Sequence, residues 1–239
     1  MKKLAIAVMG ALVLTAVGAS VSSAVDPDLI IKASITPTKH GTKKKPKKVK
    51  LVVKLTTTPK AGEPAFAADT TVVHLAKELV FNGKAMKSCT QAQVQADNTK
   101  CPKGSKVGQG IAAGVALGLT ENLTVTAYNG PGGNKLELLV DGQTPLVIHS
   151  VIEGLLQKDT GAYGNKLVVA IPANLQQPAP GAYATLMEFD TTINAVSGAK
   201  SVPYVGIASC KTKSMAFGAD YHYVPDGTSK SVTTTAPCK

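Results

Sequence analysis

Two short motifs carry residue types that could do catalytic or cofactor chemistry. Ser197 and Lys200 have the S-x-x-K spacing, in which a lysine amine can activate a serine nucleophile. Gly108, Gly110 and Ala113 fit the G-x-G-x-x-A pattern, whose glycines let a backbone approach a pyrophosphate. The companion motifs S-D-N and K-T-G do not follow Ser197, and no clear strand precedes Gly108. We therefore expect a turn at Ser197 and close packing of small residues against a neighbouring strand at Gly108.

The histidines and the acidic residues form no recognisable metal or catalytic set. No two histidines have the H-x-H or H-x-x-x-H spacing that places two imidazoles on one side of a metal. Glu188 and Asp190 would share one strand face, as the carboxylate pair of a glycosidase could, but the absence of Trp gives poor support for sugar stacking. We expect no cofactor and no metal centre, with a metal site assembled from distant histidines as the alternative. The histidines are His40, His74, His149 and His222.

The N-terminal segment has the pattern of a secretory signal peptide. Lys2 and Lys3 precede an apolar run over residues 4–19, and the small residues Ser22 and Ala24 suit signal-peptidase cleavage. We expect residues 1–24 to be the signal peptide and residues 25–239 to form one secreted domain, with a retained membrane anchor as the alternative. No later stretch approaches the roughly 20 apolar residues that span a bilayer. The expected location is therefore extracellular, either released or associated with the cell envelope.

Four cysteines follow the predicted cleavage site, and an even number in an exported chain favours disulfides. Of the three possible pairings we favour Cys89 with Cys101 and Cys210 with Cys238, because short loops close more often and both loops contain turn-forming residues. A metal site is the competing interpretation. It is disfavoured because the cysteines stand singly, with no C-x-x-C pair.

Much of the positive charge lies in residues 39–50, which we call the basic segment. The formal net charge of the chain is +11, and this segment contains no acidic residue. Clustered lysines attract polyanions with little sequence preference. We expect either a solvated loop that keeps the protein soluble or a contact with an anionic envelope polymer or lipid head groups. The candidate contact residues are Lys39, Lys43, Lys44, Lys45, Lys47, Lys48 and Lys50.

Nucleic acid is disfavoured as a partner of the basic segment. All 26 basic residues of the chain are lysines, so the bidentate arginine contacts that read guanine and clamp phosphate are missing. Aromatic residues for base stacking are scarce near the segment, and export also argues against this partner. The sequence leaves the oligomeric state open.

The sequence predicts that the elements carrying the candidate residues are β-strands. Val49, Leu51, Val53 and Leu55 alternate with Lys50 and Lys54, which is the period of a half-buried strand and makes the basic segment a loop between strands. Residues 70–81 fit a strand better than a short helix. Short β-like runs also occupy residues 29–35, 123–128, 136–140, 146–152, 167–171, 184–193 and 215–224, with turn signals between many of them.

No amphipathic helix of three turns stands out, so crossover helices over a parallel sheet are not expected. We predict an all-β fold, an antiparallel β-sandwich of Ig-like or jelly-roll-like type with disulfide-stapled loops. Phe217, Ala219, Tyr221 and Tyr223 fall on one face of a strand, and we expect that face to lie in the core.

The order of several short elements carries a resemblance over most of the predicted mature chain. The most distinctive element is C-P-x-x-S-x-V-G-x-G, which starts at Cys101, and it occurs together with the placement of the four cysteines. Phe81-Asn82-Gly83-Lys84 and Ala127-Tyr128-Asn129-Gly130 accompany it. The chain resembles a group of uncharacterised secreted proteins of actinobacteria. The resemblance implies export and a shared fold, and it supplies no activity.

These observations favour a non-enzymatic secreted or cell-surface protein with a structural or binding role. Attachment would run through the lysines of the basic segment. The alternative is an extracellular hydrolase of unrecognised type, whose site is assembled from residues far apart in the sequence. A hydrolase predicts a deep pocket that holds a titratable group with a shifted pKa, whereas the binding protein predicts a flat basic surface.

Overall fold

The computed structural model describes residues 24–196 and 201–239. The predicted signal peptide up to residue 23 and the motif of Ser197 and Lys200 lie outside the described residues. In the described part of the chain the strands are β1 (Asp28–Thr36), β2 (Lys47–Lys48), β3 (Lys50–Thr58), β4 (Ala67–Ala76), β5 (Leu79–Phe81), β6 (Lys106–Ala116), β7 (Leu119–Asn129), β8 (Lys135–Gly142), β9 (Ile148–Lys158), β10 (Tyr163–Ala170), β11 (Thr185–Ile193), β12 (Val205–Ile207), β13 (Ser214–Val224) and β14 (Ser229–Pro237).

The helices of the described chain are short. There are two α-helices, α1 (Gln91–Asp97) and α2 (Ala173–Gln176). Three single turns of 3₁₀ helix span Gly83–Ala85, Asn98–Lys100 and Pro131–Gly133. Thr90 begins α1 with a capping box, in which its hydroxyl accepts from the backbone N–H of Gln93 and the Gln93 side chain accepts from the Thr90 backbone N–H.

Eleven strands form one antiparallel sheet in the order β1-β3-β11-β6-β7-β8-β9-β10-β4-β13-β14. The sheet curls until its two edge strands, β1 and β14, lie next to each other. A small second sheet contains β2, β12 and β5 in that order. The predicted all-β fold is confirmed, and its finer assignment to an Ig-like or jelly-roll-like sandwich stays a prediction.

Alternating apolar residues place the core on the inner face of the curled sheet. In β3, Leu51, Val53 and Leu55 are buried, as their period-two spacing predicts. The core face predicted for β13 is confirmed, since its residues are at most 3% exposed: Phe217, Ala219, Tyr221 and Tyr223. Residues 70–81 form strand structure, as favoured, but the strand breaks at Lys77 and Glu78 into β4 and β5.

The segment that contains Gly108 and Gly110 is itself a strand, β6. It lies between β11 and β7, and Gly110 faces Thr191 of β11. A Cβ atom at Gly110 would overlap the carbonyl oxygen of Asp190. The glycines therefore allow close approach of a neighbouring strand, as expected from the sequence, and they do so from within the sheet.

Both predicted disulfides are present. Cys89 joins Cys101 with a Cα separation of 5.4 Å, and Cys210 joins Cys238 with a Cα separation of 5.9 Å. The second bond connects the segment before β13 to the residue that follows β14. The first bond brackets α1, which lies against the outer face of β8 and β9.

The helix α1 is clamped onto β9 by packing and by hydrogen bonds. Val94 is fully buried in a small outer core that includes Leu139 and Val151. The Gln91 side chain donates to the carbonyl oxygen of Val151 at 3.1 Å, and the Gln95 side-chain oxygen accepts from the Val151 N–H at 3.0 Å. This region thus has a second core, outside the curled sheet, that the disulfide encloses.

Candidate ligand-binding cavity

A cavity of about 490 Å³ opens at one end of the curled sheet, on its inner face. Its wall comes from β3, β4 and β6 to β11, with α2 and its flanking residues on one side. The wall is mainly apolar, and Leu123, Leu138, Ile152, Leu167 and Phe189 are typical members. The sheet therefore encloses space of the size and character that small-molecule sites have, roughly 300 to 1,000 Å³.

The space exists because β6 presents small residues to it. Ala112, Gly114 and Ala116 line the cavity from alternate positions of β6, and none has a side chain larger than a methyl group. Because side chains of a strand alternate between its faces, Ile111 points to the outer face and is 54% exposed. The same small-residue stretch that made β6 hard to recognise as a strand keeps the interior open.

The cavity mouth has an apolar rim, which we define as Leu117, Leu119, Leu146 and Val147. Leu117 lies in the turn between β6 and β7, and Leu146 and Val147 lie in the connection between β8 and β9. The most exposed members are Val147 at 79% and Leu117 at 74%. Leu119, Leu146 and Val147 also line the cavity, so the apolar surface continues from solvent into the interior.

Glu121 is a buried carboxylate in this cavity wall, just inside the rim. It lies on the inner face of β7, is 7% exposed, and accepts a hydrogen bond through Oε2 from the backbone N–H of Leu146 at 2.9 Å. Its other oxygen, Oε1, is buried without a hydrogen-bond partner among the described residues. The hydroxyl of Thr71, deeper in the wall on β4, is also buried and unpartnered there. Buried polar atoms in native proteins nearly always have a hydrogen-bond partner.

Sequence reasoning missed Glu121, although one signal was present. Leu123 and Val125 alternate with threonines in β7, and the same period extended back by two residues puts Glu121 on the inner face. The run predicted over 123–128 stopped short of this residue. A charged residue in phase with an apolar face was therefore the available signal.

His149 also borders the cavity at its mouth, but its ring is hydrogen-bonded on the outer face of the sheet. Its Nδ1 lies 2.5 Å from Asp141 Oδ1, and its Nε2 lies 3.0 Å from the carbonyl oxygen of Gln95 in α1. The bond with Asp141, and then the one with Gln95, raise the pKa of His149 against the opposing effect of burial. Ser150 lines the cavity, but neighbouring residues of a strand face opposite sides, so His149 is not placed as its base.

A second buried carboxylate, Glu137, lies on the outer face of β8. It is 1% exposed and pairs across the sheet with Glu153. Burial, with the charge of Glu153 as the next cause, raises the pKa of Glu137 to about 6, and Lys135 opposes the shift. Its Oε2 has no hydrogen-bond partner within the described ranges. Glu137 is not part of the cavity wall.

The basic segment lies away from the cavity mouth. Lys50 begins β3, whereas the mouth lies beyond the opposite end of that strand, where Thr56 pairs with Glu188 and Thr185 pairs with Val115. Its seven lysines are exposed, and in the described part of the chain none of them forms an ion pair. The structure therefore keeps these candidate contact residues together but does not bring them to the cavity.

The basic segment is more ordered than the loop that its sequence predicts. Lys47 and Lys48 form β2, which pairs with β12. The backbone N–H of His40 donates to the carbonyl oxygen of Lys239 at 2.8 Å, and that of Gly41 donates to Ile207 at 3.0 Å. The lysines thus project from a segment that is fixed at several points.

The other candidates from the sequence lie outside the cavity. Glu188 and Asp190 flank Lys54, and Glu188 forms an ion pair with it, whereas Phe189 between them faces the cavity. His74 contacts Asp159 at 2.6 Å and Asp220 at 2.8 Å. Burial lowers the pKa of His74, but these two hydrogen bonds outweigh it, so the net shift is upward. Among the described residues no group of three or more His, Cys, Asp or Glu side chains could hold a metal ion.

Comparison of the chain with protein-family models, with curated proteins and with solved structures gave no match. None of the helices in the described ranges has the length and apolar character needed to cross a membrane.

Proposed function

We propose that this protein is an extracellular, non-enzymatic binding protein that holds an apolar or amphipathic molecule in the cavity. The observation that carries the proposal is the continuous apolar surface from the exposed rim to the wall of a cavity of about 490 Å³. Burial of apolar ligand surface there would be favourable by about 25 cal/mol per Å². The two disulfides are compatible with the oxidising compartment that the predicted signal peptide implies.

The test uses the full chain, produced by secretion, and the neutral dye N-phenyl-naphthylamine, which fluoresces strongly in apolar surroundings. We expect saturable binding by the native protein. Ala112→Phe places a ring in the cavity and should weaken binding by about tenfold or more. Ile111→Phe is the matched control on the outer face of the same strand and should bind as the native protein does. Absence of saturable binding, or equal binding by Ala112→Phe, would contradict the proposal.

The basic segment supports a second candidate function, attachment to an anionic envelope polymer or lipid head groups. Seven exposed lysines without ion-pair partners in the described chain are the supporting observation. The test is co-sedimentation with isolated host envelopes over a salt series, beside a variant with Lys43, Lys44, Lys45, Lys47 and Lys48 changed to Gln. Binding that is lost in the variant supports attachment, and equal binding by both proteins contradicts it.

The hydrolase alternative stays a prediction, because a deep cavity is one of the two features that it required. Ser150 is the cavity hydroxyl to test as its nucleophile. A hydrolase would turn over p-nitrophenyl esters of medium-length acids, and Ser150→Ala would abolish that turnover. The binding protein instead holds such esters without releasing p-nitrophenol above the rate in buffer.

A further inference from the structure

We propose that Glu121 selects the ligand, so that the cavity takes an amphipathic molecule whose head group donates hydrogen bonds, with a primary ammonium preferred and a carboxylate rejected. The inference rests on the proposed function, since it names the chemical class that the cavity holds. The head group would lie against Glu121 Oε1 at the mouth, and the apolar chain would follow the wall inward.

The position of Glu121 divides the exposed rim from the apolar interior. Leu119, Glu121 and Leu123 occupy alternate positions of β7 and therefore face the same side. Leu119 is 53% exposed at the rim, whereas Leu123 belongs to the cavity wall. A ligand that enters tail first would leave its head group at the level of Glu121.

The bonding of Glu121 leaves one oxygen, Oε1, without a partner among the described residues, and because this atom is buried, a head group reaches it only when the carboxylate turns toward the cavity. Oε2 accepts from the Leu146 N–H, which ties the carboxylate to the rim, and Oε1 has no partner in the described chain. A buried carboxylate oxygen accepts hydrogen bonds and cannot donate them when ionised. An ammonium or hydroxyl group satisfies it, whereas a ligand carboxylate would place two like charges together.

The described lining of the cavity supplies no lysine that could reverse this preference, and His149, a lining residue that can carry a positive charge, is hydrogen-bonded to Asp141 on the outer face. The chain contains 26 lysines, yet no lysine lines the cavity in the described ranges. The long-range field acts in the opposite direction, because a net charge of +11 attracts anions. A preference for a cationic amphipath would therefore come from the local carboxylate and not from the overall charge.

A purely structural role for Glu121 makes a different prediction. If its only role is to hold the connection between β8 and β9 through Leu146, then Glu121→Gln should preserve that role, because the amide oxygen can still accept from the Leu146 N–H. The amide would meanwhile offer N–H donors to the cavity in place of a negative charge. Selectivity among head groups separates the two roles.

The experiment displaces N-phenyl-naphthylamine with three ligands of one chain length, dodecylamine, dodecanol and dodecanoate, at neutral pH. For the native protein we expect dodecylamine to bind about tenfold or more tightly than dodecanoate, with dodecanol between them. Glu121→Gln should weaken dodecylamine about tenfold, bring dodecanoate to equal or tighter binding, and leave dodecanol within about threefold. Asn122→Asp is the matched control, since it adds an acid at the neighbouring exposed position and should leave the order unchanged.

The native series alone decides the inference if Glu121→Gln fails to fold. Equal binding of dodecylamine and dodecanoate by the native protein would overturn it, as would an unchanged order in a folded Glu121→Gln variant. Failure of the proposed function looks different, because neither the dye nor any of the three ligands would then bind. Dye binding without head-group selection therefore refutes only the role of Glu121.

Discussion

The cavity mouth and the basic segment lie at opposite ends of β3, and they differ in which side chains they expose and which they bury. At the mouth, apolar side chains are exposed and a carboxylate is buried. In the basic segment the lysines are exposed, no acidic residue is present, and no residue lines the cavity. The mouth can bind by removing apolar surface from water, which is nearly independent of salt, whereas the basic segment can act only through charges that salt screens over about 8 Å at physiological ionic strength.

The largest expected difference between the two regions is in stability. Leu138→Asp puts a carboxylate at a position that is 4% exposed, on a cavity wall that contains no lysine among the described residues. We expect the free energy of unfolding to fall by about 4 kcal/mol or more, as for an unpaired buried charge. Urea unfolding followed by circular dichroism measures it. A loss below about 1 kcal/mol would mean that water reaches the wall freely.

The next contrast is the response to salt. From about 0.05 M to 0.5 M NaCl, envelope binding through the basic segment should weaken roughly a hundredfold, because several lysine contacts each depend on counterion release. Binding of the neutral dye in the cavity should change by less than about twofold. Parallel titrations of one preparation give both values. Equal responses would mean that the two regions do not act independently.

A smaller effect is expected for Glu137, the buried acid outside the cavity wall. Its folded-state pKa of about 6 lies above the ordinary value of 4.5, so the protonated form is favoured in the folded state. Stability from this group is present at low pH and is lost as pH rises from about 4.5 through about 6. Glu137→Gln should therefore stabilise the protein by about 1 to 2 kcal/mol at neutral pH and hardly at all below pH 4.

Urea unfolding of both proteins at the two pH values measures the Glu137 effect. Dye binding serves as the control, because Glu137 lies outside the cavity wall and Glu137→Gln should leave the dissociation constant unchanged. An equal gain in stability at both pH values would show that the effect comes from packing and not from titration.

The smallest expected effect is that of the basic segment on stability. The variant with Lys43, Lys44, Lys45, Lys47 and Lys48 changed to Gln removes five exposed charges that have no ion-pair partner in the described residues. We expect its free energy of unfolding to stay within about 0.5 kcal/mol of the native value. Thermal unfolding checks this. A larger loss would show that the lysines help to hold β2 against β12.

Local pattern predicted much of the fold, because the alternation of apolar residues and the placement of turn residues both depend on neighbouring positions in the sequence. The core face of β13, the strand β3 and both disulfides followed from such patterns. The strand predicted over 146–152 was displaced: β9 begins at Ile148, and Leu146 and Val147 lie outside it at the rim. Their apolar character was interpreted as strand propensity, whereas the structure exposes them beside a cavity.

The cavity could not be predicted from local pattern, because it depends on which strands become neighbours. The placement of β11 between β3 and β6 joins segments far apart in the chain, and this brings Phe189 opposite the small residues of β6. Glycine and alanine have low β-propensity, which hid β6 until its long-range pairing was known. The hydrogen bond of Glu121 likewise depends on Leu146, which lies 25 residues further along the chain.

The clamp of α1 on β9 has a consequence for which side of the mouth yields to a ligand. One side of the mouth is fixed by Gln91, Gln95 and the enclosing disulfide bond. Across the mouth, the connection between β10 and β11 is held mainly by hydrogen bonds within itself, such as the one from Ala184 N–H to the Gln176 carbonyl. If a ligand enters the cavity, we expect this connection to yield more readily than the clamped side, because most of its backbone hydrogen bonds are local.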